Sequence, residues 1–326
     1  MKIMPMKILL TGASGFIGGR FMQRFRGTPG LELLGVSRRA LPDADYRSVD
    51  LSTPGALDVA NGFAPDVVIH AAALSSPFAP RREYLRHNVD ATAHVIDWCR
   101  AHGRPKLVYI SSSSVHYQPR DQLGMREDDP IGPTFANTYA ETKAAGETLV
   151  RDYTGTWTIL RPRAVFGPGD TVLFPRLLAA AKRGKLPQIV RDAPPAIGDL
   201  ISVDALADYM LRAAQRPDAV GAFNLSHGEP VPMQDFIAQI FRRLDLPPPT
   251  RKVPYRVAYA AAHAAELAWT LLPLRGEPPV TRFGIDVLVF SKTFDIAKAR
   301  AVLGAPSQTL AEGVDAFVEW QRRQPG

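Results

Sequence analysis

Short apolar runs recur through the first half of this 326-residue chain: "MKILLT" at 6–11, "LELLGVS" at 31–37, "DVVIHAA" at 66–72, "KLVYIS" at 106–111 and "TWTILRP" at 156–162. Each is too short for a helix and too continuously apolar for a strand with one wet face, so each predicts a strand buried on both sides. Between them lie stretches with helical spacing, notably 81–102 and 137–153. Strand and helix in alternation predict an α/β fold, a doubly wound parallel sheet covered by helices on both faces. Beyond about residue 166 the regularity weakens and prolines gather at "DAPPA", "LPPPT" and "GEPPV". A first unit over 1–165 and a smaller C-terminal lobe over 166–326 are expected, with a segment near 197–226 returning to the sheet. The apolar stretch 257–273, "VAYAAAHAAELAWTLLP", carries His263 and Glu266 and falls short of the roughly 20 residues that span a bilayer. It is read as a helix lining a pocket or the core of that lobe, with Tyr259, Leu267 and Trp269 against an apolar ligand.

The first strand runs straight into "TGASGFIGG". Gly12 permits a tight turn, Gly15 lets the backbone approach a pyrophosphate, and Gly18 allows close helix packing, while the helix N-terminus faces the phosphates. Because the triplet follows a strand, opens a helix and begins a βαβ unit, it predicts a dinucleotide site. At the end of the second strand, where an acid would bind a free ribose hydroxyl, stand Ser37, Arg38 and Arg39. A guanidinium suits a 2′-phosphate, so NADP is expected, with NAD as the other choice. Asp50, after a short third strand, is placed to accept from the adenine amino group.

Charge and cysteine content narrow the rest. The net charge of +7 is spread over arginines such as Arg81, Arg82, Arg242 and Arg243, without the dense basic run or interleaved aromatics of a nucleic-acid binder. No nucleic-acid partner is expected. The one cysteine, Cys99, excludes an internal disulfide and a cysteine-based metal cluster, and a reducing, cytoplasmic setting follows. The apolar run at the N-terminus is too short for a signal peptide.

In "NTYAETKAAGE", Tyr139 and Lys143 lie four apart, on one face of the expected helix. A cation beside a phenol lowers its pKa, which suits a proton donor or acceptor near neutrality. Together with T-G-A-S-G-F-I-G at 11–18, H-A-A-A at 70–73, Asn88 in "HNVDAT", "YISSSSVH" at 109–116, Y-A-E-T-K at 139–143 and "LRPRAVFGPGD" at 160–170, the chain resembles an extended short-chain dehydrogenase/reductase over nearly its whole length. The resemblance implies a catalytic Ser112, with Ser113 as the alternative, beside Tyr139 and Lys143. It extends the cofactor contacts to Ser14, Phe16, Ile17, Leu51, Ala71, Ala72, Ala73, Asn88, Pro162 and Val165. It also implies a homodimer built through the helices 81–102 and 137–153, and a small-molecule substrate.

Within the family, nucleotide-sugar enzymes carry an Asn where this chain has Ala164, and N-P-Y where it has "ANTY". "LRP" followed by "VFGPGD", and the C-terminal "FDIAKARAVLG" and "TLAEGV", are more similar to the 3β-hydroxysteroid dehydrogenase/isomerase-like branch. That similarity implies hydride transfer between nicotinamide and a carbonyl or secondary alcohol of a hydrophobic molecule. A nucleotide-sugar epimerase or dehydratase, and a non-catalytic dinucleotide-binding protein, are the other readings.

Overall fold

The computed structural model describes residues 4–76, 78–184, 186–272 and 274–324. Seven strands form one all-parallel sheet in the order Gly221–Leu225, Trp157–Pro162, Lys106–Ile110, Val67–His70, Met6–Thr11, Leu31–Ser37 and Tyr46–Ser48. All five strands expected from the apolar runs are present. Side chains alternate across the sheet with the period of two that a strand imposes. Ile8, Leu10 and Ile69 face one layer with Phe21, Leu206 and Met210, whereas Leu9, Val68 and Leu107 face the other with Val95, Ile96 and Cys99. Both faces are therefore dry, which is why the strands read as unbroken apolar runs.

The chain reverses its direction of growth between the strands Met6–Thr11 and Val67–His70, which lie side by side although two strands separate them in sequence. The crevice at the carboxyl ends of such a pair is where doubly wound sheets bind ligands. The sheet's outer strand, Gly221–Leu225, comes from the C-terminal half, and the helix before it, Val203–Gln215, packs on the first helix, Phe16–Phe25. Arg20 clamps the two helices through both oxygens of Asp204, at 2.6 and 3.0 Å.

Most of the remaining C-terminal residues build a second lobe, whereas the helix Ala297–Leu303 returns to the sheet and buries Ala299 and Leu303 in its core. The core of the lobe centres on Phe166, Phe174, Phe236 and Phe317, packed edge-on or tilted at 4.5–6.5 Å. A four-stranded mixed sheet ties the lobe to the first half, because the strand Gln122–Met125 pairs with Lys292–Phe294. The helix Tyr255–Leu271 buries Ala258 and Ala262 against Ile285 and Val289 of the helix Arg282–Val289. Of the residues expected against an apolar ligand, Leu267 is 49% exposed, and Leu271 after it is 70% exposed, whereas Tyr259 and Trp269 are partly buried. A helix with alanine or larger apolar residues on most of its sides gives the sequence little means of marking its inner face. No helix among the described residues is long and apolar enough to cross a membrane.

Candidate active site

The glycine-rich turn has the geometry a pyrophosphate requires. Gly12 has φ +73°, and a Cβ there would lie 2.7 Å from the Ala72 nitrogen; a Cβ at Gly18 would overlap the Gly12 carbonyl. Only hydrogen fits at either position. Gly15 caps the helix Phe16–Phe25 with no side-chain hydrogen bond, so the backbone N–H groups of its first turn remain available to an anion. Ser14 is held by Ser37, its N–H and hydroxyl at 3.2 and 2.6 Å from Ser37 Oγ. Phe16 and Ile17 begin the helix, half-buried. These residues fit a dinucleotide on steric and electrostatic grounds alone.

Farther along the same edge, Arg38 and Arg39 are exposed. Arg38 contacts His87 at 3.3 Å, and among the described residues no carboxylate pairs with either guanidinium. Asp50 accepts from Ser52 and from Arg86 at 3.2 Å, and Leu51 beside it is buried. Ala71, Ala72 and Ala73 form the loop that passes Gly12. Pro162 and Val165 flank Ala164 at the carboxyl end of the neighbouring strand.

One chain of hydrogen bonds fixes these loops relative to one another. Thr92 donates to the Asn88 carbonyl at 2.6 Å, so its oxygen accepts from His70 Nε2, 3.0 Å away. His70 Nδ1 then accepts from Thr11 Oγ1 at 2.7 Å, and Thr11 Oγ1 accepts from the Ala72 N–H at 3.2 Å. This tautomer satisfies a neutral, fully buried imidazole completely. Asn88, in a π-helical turn over Leu85–Asp90, carries the network onward: it bonds both polar backbone groups of Leu74 and donates to Thr142 Oγ1 at 3.0 Å. Burial pulls His70 from 6.5 down to about 3. Between pH 6.5 and 3 the unfolded chain therefore binds a proton that the folded chain resists, and stability falls with pH by up to about 1.4 kcal/mol per unit. Unfolding midpoints measured across this range should fall less steeply for His70→Asn than for the unmodified chain.

Thr142 belongs to the helix Thr138–Arg151, which starts where it does because Asn137 Oδ1 accepts the Ala140 N–H at 2.8 Å. Tyr139 thus enters the first turn and Lys143 follows one turn later on the same face. Lys143 is 1% exposed, its ammonium 4.1 Å above the Tyr109 ring. Tyr109 passes so close beneath the helix that a Cβ at Gly146 would collide with its hydroxyl. Ser112 lies two residues beyond the strand Lys106–Ile110 and caps the short helical turn Ser113–His116. Its oxygen accepts from the Ser114 N–H and hydroxyl, at 3.2 and 2.9 Å, and it faces the Tyr139 phenol. Ser113 is 2% exposed, whereas Ser112 and Tyr139 are both partly open.

The expected depression of the tyrosine pKa does not occur in the protein alone. Burial pushes Tyr139 up to about 12, with the Ser112 hydroxyl acting the other way. Burial also pulls Lys143 down to about 7 against the opposing effect of Glu147, so the nearby cation is itself weakened.

Two features of the site escaped the sequence. Arg161, fully buried, forks onto Glu147 at 2.8 and 2.7 Å, Ser111 donates to the same carboxylate at 2.6 Å, and Arg161 Nη1 lies 2.9 Å from His116 Nε2. Glu147 stands one turn after Lys143. The available signal was an arginine inside an apolar strand and a glutamate four residues past the lysine. The second feature is Ala164, which has φ +41°. A left-handed backbone costs alanine about 1–2 kcal/mol, whereas Asn and Gly adopt it readily. Position 164 thus favours an Asn for backbone reasons as well as for any ligand. Ala164→Gly should stabilise the fold by up to about 1 kcal/mol, read from urea midpoints.

A cavity of about 700 Å³ lined by His116, Gln118, Asp121, Met125 and Thr134 lies beyond this site and touches none of Ser112, Tyr139 or Lys143.

The sequence profile of the NAD dependent epimerase/dehydratase family matches residues 8–226, which contain every group just described. The chain belongs to this family. It is 34% identical to a 2-alkyl-3-oxoalkanoate reductase of Stenotrophomonas maltophilia, over 95% of this chain and 97% of that protein. It is 30% identical to a decarboxylating sterol-4-alpha-carboxylate 3-dehydrogenase of Schizosaccharomyces pombe, over 97% and 98%. Among solved structures, MoeE5 in complex with UDP-glucose and NAD superposes with a TM-score of 0.73 at 26% identity, covering 97% of this chain and 99% of that one. The reductase and the dehydrogenase among these relatives are oxidoreductases, and the chain is an enzyme of the extended short-chain dehydrogenase/reductase type, similar to the 3β-hydroxysteroid dehydrogenase branch.

Proposed function

We propose that this member of the epimerase/dehydratase family moves hydride between NADP and a carbonyl or secondary alcohol of a hydrophobic, lipid-like or sterol-like molecule. The observation that carries the reading is the pair Ser112 and Tyr139, both partly open, with buried Lys143 one turn after Tyr139 and the glycine turn at the carboxyl end of another strand of the same parallel sheet. Gly12, Ser14, Gly15 and the first turn of the helix Phe16–Phe25 would hold the pyrophosphate, Arg38 and Arg39 the 2′-phosphate, and Lys143 with Asn88 the nicotinamide end. Bound there, the cofactor supplies or accepts the hydride.

The chain's own residues handle the oxygen. Ser112 donates a hydrogen bond to it, and Tyr139, protonated at neutral pH, gives it a proton as the carbonyl is reduced; in the reverse direction Tyr139 would first pass its proton to neutral Lys143 and then, as phenolate, take one from the alcohol. Lys143, poised near pH 7, can replace the proton that Tyr139 gives in reduction. We take 1–165 as the dinucleotide-binding part and 166–326 as mainly the substrate lobe. A cytoplasmic homodimer joined through the helices around 81–102 and 137–153 completes the proposal.

Ala164 in place of an Asn disfavours the nucleotide-sugar reading, which the likeness to MoeE5 with UDP-glucose supports. Two measurements separate them. NADPH should be consumed faster than NADH with apolar ketones, and replacing Arg38 and Arg39 by Ala should remove the difference. Across a homologous ketone series at two ionic strengths, each buried methylene should add up to about 0.8 kcal/mol of affinity with little salt dependence. Flat dependence on chain length, with tight, salt-sensitive binding of UDP, would favour the sugar-nucleotide reading.

A further inference from the structure

Of the ten large apolar side chains exposed among the described residues, five fall within eighteen positions: Val257, Leu267, Leu271, Leu272 and Leu274, at 59, 49, 70, 54 and 43% exposure. Scattered exposed leucines are ordinary, whereas a contiguous group marks a contact surface. On the helix Tyr255–Leu271 the exposed apolar positions 257, 260, 261, 264, 267 and 271, all Val, Ala or Leu, fall on one stripe at helical spacing, and the exposed Arg256, His263 and Thr270 run along its flank. The opposite side is already covered, since Ala258 and Ala262 are buried in the lobe.

The charges around this stripe that have no ion-pair partner among the described residues share one sign, since Glu277, two residues past Arg275, is paired with Arg176. Glu266, the helix's only carboxylate, turns inward to Arg282, accepting from its N–H and Nε at 2.7 and 2.6 Å. Arg251, Lys252 and Arg256 stand exposed at the start of the helix and Arg275 beyond its end, and none of the four has an ion-pair partner among the described residues. The helix is about 26 Å long at 1.5 Å per residue, and no described helix is suited to crossing a bilayer.

We propose that this face docks, lying flat, on an anionic lipid bilayer, with Val257, Leu267, Leu271, Leu272 and Leu274 entering the acyl boundary and Arg251, Lys252, Arg256 and Arg275 meeting the headgroups. A second copy of the chain is a poorer occupant. Paired about a two-fold axis, antiparallel helices would set Arg275 of one copy against the basic cluster of the other. The inference stands on this surface alone and does not depend on the reaction proposed above.

The test is co-sedimentation of the full chain with vesicles of pure phosphatidylcholine and with vesicles containing one third phosphatidylglycerol. Binding to the anionic vesicles should be at least about tenfold tighter, and should weaken with salt. Leu267→Glu with Leu271→Glu should reduce it at least about tenfold, and so should Arg251→Gln with Arg256→Gln and Arg275→Gln, which leaves the apolar face untouched. Equal or absent binding to both vesicles, or variants that bind like the unmodified chain, would overturn the proposal. A change from oligomer to monomer in the leucine variant by light scattering would overturn it too, by assigning the face to a second copy.

Discussion

Replacing Tyr139 with Phe is expected to lower turnover of an apolar ketone by about 10²- to 10⁴-fold while cofactor affinity changes little. Burial holds the phenol at about 12, so at neutral pH Tyr139 carries its proton and is the group able to give it to a developing alkoxide. Phe retains the ring and its packing, and leaves Ser112, Lys143 and the glycine turn in place. The loss should therefore appear in kcat and not in the binding of NADPH, measured separately by titration of the cofactor's fluorescence. Near-normal turnover in this variant would move the acid elsewhere, with Ser112 the next group to examine. Ser112→Ala should cost less, because it removes a hydrogen bond to the oxygen and leaves the proton source intact.

The second large effect concerns stability. Arg161→Leu is expected to destabilise the fold by about 3–5 kcal/mol, because it leaves the Glu147 carboxylate buried without its fork. Burial alone would push Glu147 up; the Arg161 guanidinium and the Ser111 hydroxyl outweigh it and hold the group below the usual carboxylate range. Substituting both partners, Arg161→Leu with Glu147→Leu, should cost much less than the single change, since neither member of the pair is then left buried without the other. Urea unfolding of the two variants decides this. Equal losses would mean that the pair contributes through packing alone. Because Glu147 lies one turn from Lys143, the single variant should also shift the pH at which activity falls, which a merely packed arginine would not do.

The buried pair also shows why some of the site was unreadable in advance. Tyr139 and Lys143 declare themselves locally: four residues apart on a helix, they must share a face whatever the rest of the chain does. Arg161 and Glu147 are fourteen residues apart on different elements, and their meeting depends on how the helix Thr138–Arg151 lies across the strand Trp157–Pro162. The same holds for His70. As part of an apolar strand it was legible as buried, but its role as the link from Thr11 to Thr92 and Asn88 rests on contacts 59 and 22 residues away in sequence.

The sequence by itself determined the strands of the first half, the glycine turn, the helix that carries Tyr139 and Lys143, and the family. Each of these follows from a local rule: apolar period, the φ that only glycine tolerates, helical spacing, or residues in fixed register. Only the tertiary structure decided which alternative serine is open, since Ser112 and Ser113 are adjacent and differ in what packs over them. Only it revealed that Ala164 takes a left-handed backbone, and that burial, not the neighbouring lysine, governs the Tyr139 phenol. The helix Tyr255–Leu271 marks the boundary most clearly. Its composition announced an apolar helix, but a face becomes core or surface only when a neighbour covers it, and there the neighbours cover Ala258 and Ala262 and leave Leu267 and Leu271 in solvent.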